Sequence, residues 1–342
     1  MLQKTSIAIL IVIMAMACTD KEKYTMPERK PLSVTAVMAD SLYTSFPGTL
    51  QVTSNHLALL CPFDGSEKFL MIYDRQTGEQ ITRVGSIGQG PGEWITPDLA
   101  NVIDDKLVIF DINLKDYVLA GADNLYQDIS RYDSVRKMDV PELSPLNFLY
   151  LDDDRYIIAD YGSQQPFNMI SKGRIIPCGK YPFNKTITNA YIHLQGQFLK
   201  HPHKEILIYG TIKNPYLALY RIGDNDLDLI WENQFKKPDY SIDDQKLEWG
   251  SNQPDGIFDA AFTKDYIVCL IKDFKNDAKG RDIRTAPKAV YLFNYEGQLM
   301  HILDLATHTS RLAADGQSNT FYAVSLEPDY SIVKYDLSTV GL

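Results

Sequence analysis

The chain has 342 residues, and its 34 Lys and Arg stand against 44 Asp and Glu, a net charge of −10. Length alone allows one or two domains. An acidic balance with no basic block excludes a polyanion binder, so no nucleic-acid partner is expected.

In chain order, a short positive start, "MLQK", is followed by the apolar run "TSIAILIVIMAMA", which ends in small residues directly before Cys18. This is the layout of a secretory signal peptide over residues 1–17, with an apolar run too short for the ~20 residues of a spanning helix. "MAMAC" resembles a bacterial lipobox, with Ala15 where the usual pattern has Leu, and makes Cys18 the expected lipid attachment point. Residues 18–32, polar, charged and broken by two prolines, read as a flexible tether. Removing residues 1–17 takes away Lys4 and no acid, leaving 33 basic against 44 acidic residues, a net −11.

From residue 33 onward one unit recurs: an apolar run, a polar gap, an aromatic-rich run, then a tight turn and a short last run. It appears as "LALLCPFDGSEKFLMIYDRQTGEQI", "LVIFDINLKDYVLAGAD", "YIIADYGSQQPFNMIS", "ILIYGTIKNPYLALYRIGDNDLDLI", "YIVCLIKDF" with "PKAVYLFNYEGQLMHIL", and "TFYAVSLEPDYSIVKYDL". The runs are short, rich in Val, Ile, Tyr and Phe, and bounded by Gly, Asn, Asp and Pro, which is strand and hairpin chemistry. Six copies of about four short strands predict an all-β chain, residues 33–342, folded as a six-bladed β-propeller of four-stranded antiparallel blades. The last copy lacks an outermost strand. An N-terminal strand within "LSVTAVMAD" is therefore expected to complete it and close the ring.

Between the first two copies lies "VGSIGQGPGEW", Val84 to Trp94. A phosphate cradle needs a glycine loop that opens a helix, or spaced glycines after a parallel strand, and Pro91 removes a backbone donor that such a cradle would use. The stretch therefore reads as a blade crossing, with Gly88, Gly90, Pro91 and Gly92 as a structural corner that carries Glu93 and Trp94 to the channel mouth. Two further long segments, residues 236–256 and 272–288, fall by strand parity on this same face. Long loops on a rigid frame are where binding is built. The candidate ligand-binding residues are accordingly Gln89, Glu93, Trp94, Trp249, Arg281, Arg284 and His308.

No cofactor and no metal-ligand set is read from the chain. "HPHKE", His201 to Glu205, reads as an exposed hairpin turn, and Asp152–Asp154 as a solvated turn without the ligand alternation of a calcium loop. Cys61, Cys178 and Cys269 are an odd number spread over the chain, and Cys61 and Cys269 fall in apolar runs, where an inert buried thiol is expected. No nucleophile elbow is present.

Lipobox, tether, six repeats and the "G-x-G-P-G-E" plus aromatic of Gly88 to Trp94 together resemble the TolB-like six-bladed β-propeller lipoproteins of Gram-negative bacteria. The resemblance implies an outer-membrane, lipid-anchored protein that binds an envelope protein, peptide or glycan, and it implies no catalytic residue. The alternative is a lactonase-like hydrolase, whose channel metal would be held by acidic and amide side chains. Glu93, Asp98, Asn101, Asn147, Asp255 and Asp259 lie at or near the expected inner strands.

Overall fold

The structure, a computed structural model, describes residues 24 and 26–342 except 41, 43, 45, 63–64, 122–134, 139–142, 144, 161–163 and 274–285. Cys18, Arg281 and Arg284 therefore lie outside the described residues.

The chain begins with two strands, β1 (Arg29–Leu32) and β2 (Ala36–Ala39), that belong to the last two blades of the ring. Blade 1 is β3 (Leu50–Val52), β4 (His56–Leu60), β5 (Lys68–Asp74) and β6 (Gln80–Ser86). Blade 2 is β7 (Pro97–Ile103), β8 (Lys106–Asp111), β9 (Asp116–Ala120) and β10 (Arg136–Lys137). Blade 3 is β11 (Pro145–Asp152), β12 (Arg155–Asp160), β13 (Phe167–Ser171) and β14 (Arg174–Cys178). Blade 4 is β15 (Gly196–Lys200), β16 (Ile206–Thr211), β17 (Tyr216–Ile222) and β18 (Leu227–Gln234). A hairpin of β19 (Tyr240–Asp243) and β20 (Lys246–Trp249) precedes blade 5, which is β21 (Ile257–Phe262), β22 (Ile267–Ile271), β23 (Ala289–Phe293) and β24 (Leu299–Leu305). Blade 6 has β25 (Thr309–Ala313), β26 (Thr320–Ser325) and β27 (Ser331–Asp336), and β2 supplies its fourth strand, antiparallel to β27, as the sequence predicts.

The boundary of the tether differs from expectation. Arg29–Leu32 is a strand, added in parallel to the outer edge of blade 5 in the register Arg29↔Ile302 to Leu32↔Leu305. Arg29 pairs there with Asp273 and Asp304, and Leu32 is 1% exposed. A basic residue followed by an apolar one suits an acidic sheet edge, a tertiary match that local composition does not reveal.

The middle strands β4, β22 and β23 are buried along their whole length. A blade packs a neighbour against each of its faces, so a middle strand is an unbroken apolar run, without the alternation of a half-exposed sheet. The core is accordingly a series of interblade layers. One joins Leu60, Phe69 and Val84 of blade 1 to Leu99, Ile109 and Val118 of blade 2. Cys61, Cys178 and Cys269 are buried and form no disulfide among the described residues, and burial pushes the Cys178 thiol up to about 12. Among the described residues no helix is long and apolar enough to cross a membrane.

Candidate functional site

Each inner strand enters its blade from a crossing, so its first residues lie toward the crossing face and its last toward the face of the first-to-second turns. Along these strands the apolar run is interrupted by polar side chains that line a cavity of about 230 Å³ on the axis: Gln51, Asp98, Asn147, Gln197, Asp259 and Arg311, one from each blade.

Several of these groups join neighbouring inner strands. Gln51 Nε2 donates to the Ala100 carbonyl (3.1 Å) and Thr49 Oγ1 to Asp98 Oδ1 (3.0 Å), linking blades 1 and 2. Asn101, 2% exposed, donates to the Tyr150 carbonyl (3.1 Å) and accepts from the Tyr150 N–H (3.0 Å), linking blades 2 and 3. Gln197 Nε2 donates to the Phe258 carbonyl (3.1 Å), linking blades 4 and 5. Asp259 accepts from Ala260 N–H through Oδ1 (2.9 Å) and from Leu312 N–H through Oδ2 (2.8 Å), linking blades 5 and 6. Apart from Thr49–Asp98, which joins two side chains, these bonds satisfy backbone groups that the inner edges of the sheets would otherwise leave open.

Burial pushes the Asp259 carboxyl up to about 6, opposed by Arg311 and by its two backbone donors. Asp98 is raised in the same direction by burial, opposed by Leu99 N–H, Thr49 and Arg311. Arg311 thus feels both carboxylates, yet its one hydrogen bond among the described residues runs from Nη1 to the Ser310 carbonyl (2.8 Å). The Asn147 amide has no hydrogen-bond partner among the described residues, although it lines the cavity.

These positions bear on the lactonase-like alternative. Among the described residues no group of three or more His, Cys, Asp or Glu is placed to hold a metal ion. Asp98, Asn147 and Asp259 do line the channel, but Asp98 and Asp259 accept from backbone and hydroxyl donors and Asn101 holds a neighbouring strand. Asp255 is exposed in the segment before β21.

The channel runs on, through the shared walls Val52, Val102, Lys200 and Pro202, into a basin of about 570 Å³ on the face of the first-to-second turns. Arg75 of the β5–β6 turn pairs with Asp315 (2.5 Å) at its rim. His203 Nε2 lies 2.9 Å from the Asp315 carbonyl and 3.0 Å from Gln317 Nε2. The buried Lys200 ammonium meets Glu205 at 3.0 Å. The turn expected to be exposed at His201 to Glu205 is only partly so. His201 is 1% exposed beneath Gly316, its Nδ1 accepts from the His203 N–H (3.0 Å), and its Nε2 is buried without a partner. Burial, with Lys204, His203 and Lys200 nearby, pushes it down to about 3. The proline and lysine of "HPHKE" mark the turn correctly but carry no sign that blades 5 and 6 cover its first residue.

The residues expected at the crossing-face mouth are dispersed over three crossings. Trp94 is fully buried in the layer between blades 1 and 2, with Phe69 edge-on at 5.7 Å, so it is core and offers no stacking surface to a ligand. The cause is local. Trp94 N–H donates to the Ser86 carbonyl (2.8 Å) and Gly88 N–H to the Trp94 carbonyl (2.9 Å), folding the corner back on blade 1. The Glu93 carboxylate turns inward too, accepting from Gly90 N–H (2.6 Å), while Gln89 is exposed. The buried Asp111 carboxylate then holds Ile95 N–H (2.7 Å) and Thr96 N–H (2.9 Å) at the entry to β7. Trp249 lies in the β19–β20 hairpin near Phe183 (6.1 Å) and Tyr240 (6.4 Å), packed with the short helix α1 (Ala190–His193) of the preceding crossing. His308 pairs with Glu327 (2.9 Å) between blades 5 and 6.

The channel residues Gln51, Gln197 and Arg311 are absent from the sequence-based candidates. Their signal is a polar residue within a short strand that precedes each recognisable apolar run.

The TolB-like 6-blade propeller-like family model matches residues 25–316. A protein of Bacteroides fragilis NCTC 9343 described as exported has a similar structure, with 15% identity and a TM-score of 0.53 over 90% of this chain and 98% of its own. A member of the DUF4221 family from Bacteroides vulgatus ATCC 8482 is similar over 90% of this chain and 94% of its own, with 10% identity and a TM-score of 0.52. At these identities the likeness is one of fold. No curated protein matches the sequence.

Proposed function

The chain belongs to the TolB-like 6-blade propeller-like family, and on that basis we propose that it is a lipid-anchored binding protein of the cell envelope. Its ligand enters the axial channel from the basin on the first-to-second-turn face. The observation that carries this reading is the continuity of the two cavities, about 230 and about 570 Å³, inside a ring whose inner strands are cross-linked by side chains. A preformed, mostly rigid concavity with a few convergent polar groups is what a small-ligand site requires. The signal-peptide layout and the lipobox-like "MAMAC" support export and attachment through Cys18, and the exported description of the B. fragilis protein agrees with them. The outer membrane is the proposed destination, on the charged tether that follows Cys18.

Two measurements test the reading. Labelled fatty acid should enter the wild-type protein and not Cys18→Ala, with the variant released from the membrane fraction. Detergent-extracted protein should be stabilised by a small-molecule extract of the envelope, with the bound material recovered unchanged. Recovery of a cleaved product would favour the hydrolase, and label persisting in Cys18→Ala would remove the anchor.

A further inference from the structure

The polar side chains of the channel have more hydrogen-bonding capacity than the protein uses. Arg311 uses a single N–H, leaving most of its guanidinium donors unused within the protein. Asp98 Oδ2 and the whole Asn147 amide have no hydrogen-bond partner among the described residues, and Gln51 and Gln197 use only their amide nitrogens. Both carboxylates act on Arg311, but no ion pair within 4.0 Å forms between them. Polar groups from all six blades therefore line the cavity, those of five blades with donors or acceptors still unused, and charges of both signs are held apart.

We propose that the channel binds the terminal unit of an uncharged, hydroxyl-rich ligand, a neutral saccharide, with the rest of the chain in the basin. This rests on the reading of the protein as a binding propeller. The distribution of groups selects the class. A hydroxyl both donates and accepts, as do the ring of amides and the carboxylate and guanidinium pair taken together. A sugar carries hydroxyls around its whole perimeter, matching groups that converge from every blade. An anion would meet Asp98 and Asp259, and a cation would meet Arg311, in the same narrow tube. A zwitterion places its charges at one end and leaves the opposite side of the ring unmatched. The basin provides room for a second and third unit beside Arg75, His203 and Gln317.

The test is calorimetric titration of the detergent-extracted full-length protein with neutral mono- to tetrasaccharides (hexose, deoxyhexose and N-acetylhexosamine types), with a sialylated trisaccharide and dipeptides as charged counterparts. A neutral saccharide should bind, and Arg311→Gln should weaken it by about tenfold or more, the loss expected for one charged hydrogen-bonding group. Asn147→Leu, which narrows the tube without altering charge, should also abolish binding while the melting temperature stays near wild type. Binding of the charged counterparts alone, or saccharide binding indifferent to both substitutions, would overturn the proposal. So would silence of the whole neutral panel where the envelope extract still stabilises the protein, an outcome that leaves the binding reading standing. If the extract fails as well, both readings fall.

Discussion

Gly78 backs directly onto Met38, so that a Cβ at Gly78 would fall on the Met38 carbonyl oxygen. Gly78 is in the β5–β6 turn of blade 1 with φ +78°, and Met38 is in β2, the strand that completes blade 6. Blade 1 and the closing strand thus touch backbone to backbone at the seam of the ring. Gly78→Ala adds left-handed strain of about 1–3 kcal/mol to a steric conflict with no flexible partner. It should lower the melting temperature by several degrees and open residues 36–39 to protease. A melting temperature within about a degree of wild type would refute the contact.

The glycine corner makes a prediction about rank. Gly92 has φ +80°, whereas Gly90 is not left-handed and faces the flexible end of Glu93. Gly92→Val should cost about 1–3 kcal/mol. Gly90→Ala should cost about 1 kcal/mol, by displacing the Glu93 carboxylate from the Gly90 N–H. Urea unfolding of the two variants gives the order directly, and the reverse order would contradict the geometry.

Asn101 presents its amide to both backbone groups of Tyr150. Asn101→Asp puts a carboxylate oxygen against the Tyr150 carbonyl and should destabilise by about 1–3 kcal/mol or more at neutral pH. A protonated carboxyl can donate where the amide did. The defect should therefore shrink as pH falls toward about 4.5, measured by chemical unfolding relative to wild type. A defect independent of pH would argue against the bond to the carbonyl.

Asp259 sets a pH trend of its own. Its folded-state value, about 6, lies above the roughly 3.9 of an unfolded Asp, so between these the folded state holds the extra proton. Its contribution is fully present below about pH 4 and is lost as pH rises through about 6. Asp259→Asn should therefore gain stability relative to wild type as pH rises from about 4.5 to about 7, read from unfolding midpoints. A constant difference across that range would show that Asp259 is not buried as an acid.

His201 has the opposite sign. Pushed down to about 3 from an unfolded value near 6.5, it favours the fold above about pH 6.5 and loses that contribution as pH falls. His201→Gln, which keeps an acceptor for the His203 N–H, should flatten the acid limb of the stability profile. An unchanged acid limb would place the ring in contact with water.

The blades were legible because β22 and β23 are apolar from end to end and β4 is so after His56, a pattern that only burial on both faces explains. The closing strand was legible as a deficit, one blade short of an outer strand. The site was far less so. Trp94 follows four glycines and reads as an exposed aromatic, but its place in the interblade layer depends on bonds to Ser86 and Gly88 that have no composition signature. Arg311 sits in "TSRLA", a short strand without a run of its own, and its importance appears only when six inner strands meet on an axis. Arg29 looks like part of a charged tether until β24 supplies Asp304 beside it.

Ring closure by β2 has a consequence for the order in which the protein is made. Residues 36–39 leave the ribosome long before their partners, residues 332–334, with five blades of chain between them. Until β27 exists, β2 has no edge to join, although β24 of blade 5 already offers one to β1, and a five-blade arc must wait with its closing strand unpaired. Such distant pairing is slow and leaves strand edges available for wrong association. A chain stopped before β25 is thus deprived of more than one blade: it keeps an unmated leading strand and an unclosed seam beside Gly78. Once residues 331–336 arrive, β2 and β27 are locked in one sheet, and neither can fray without opening the circle.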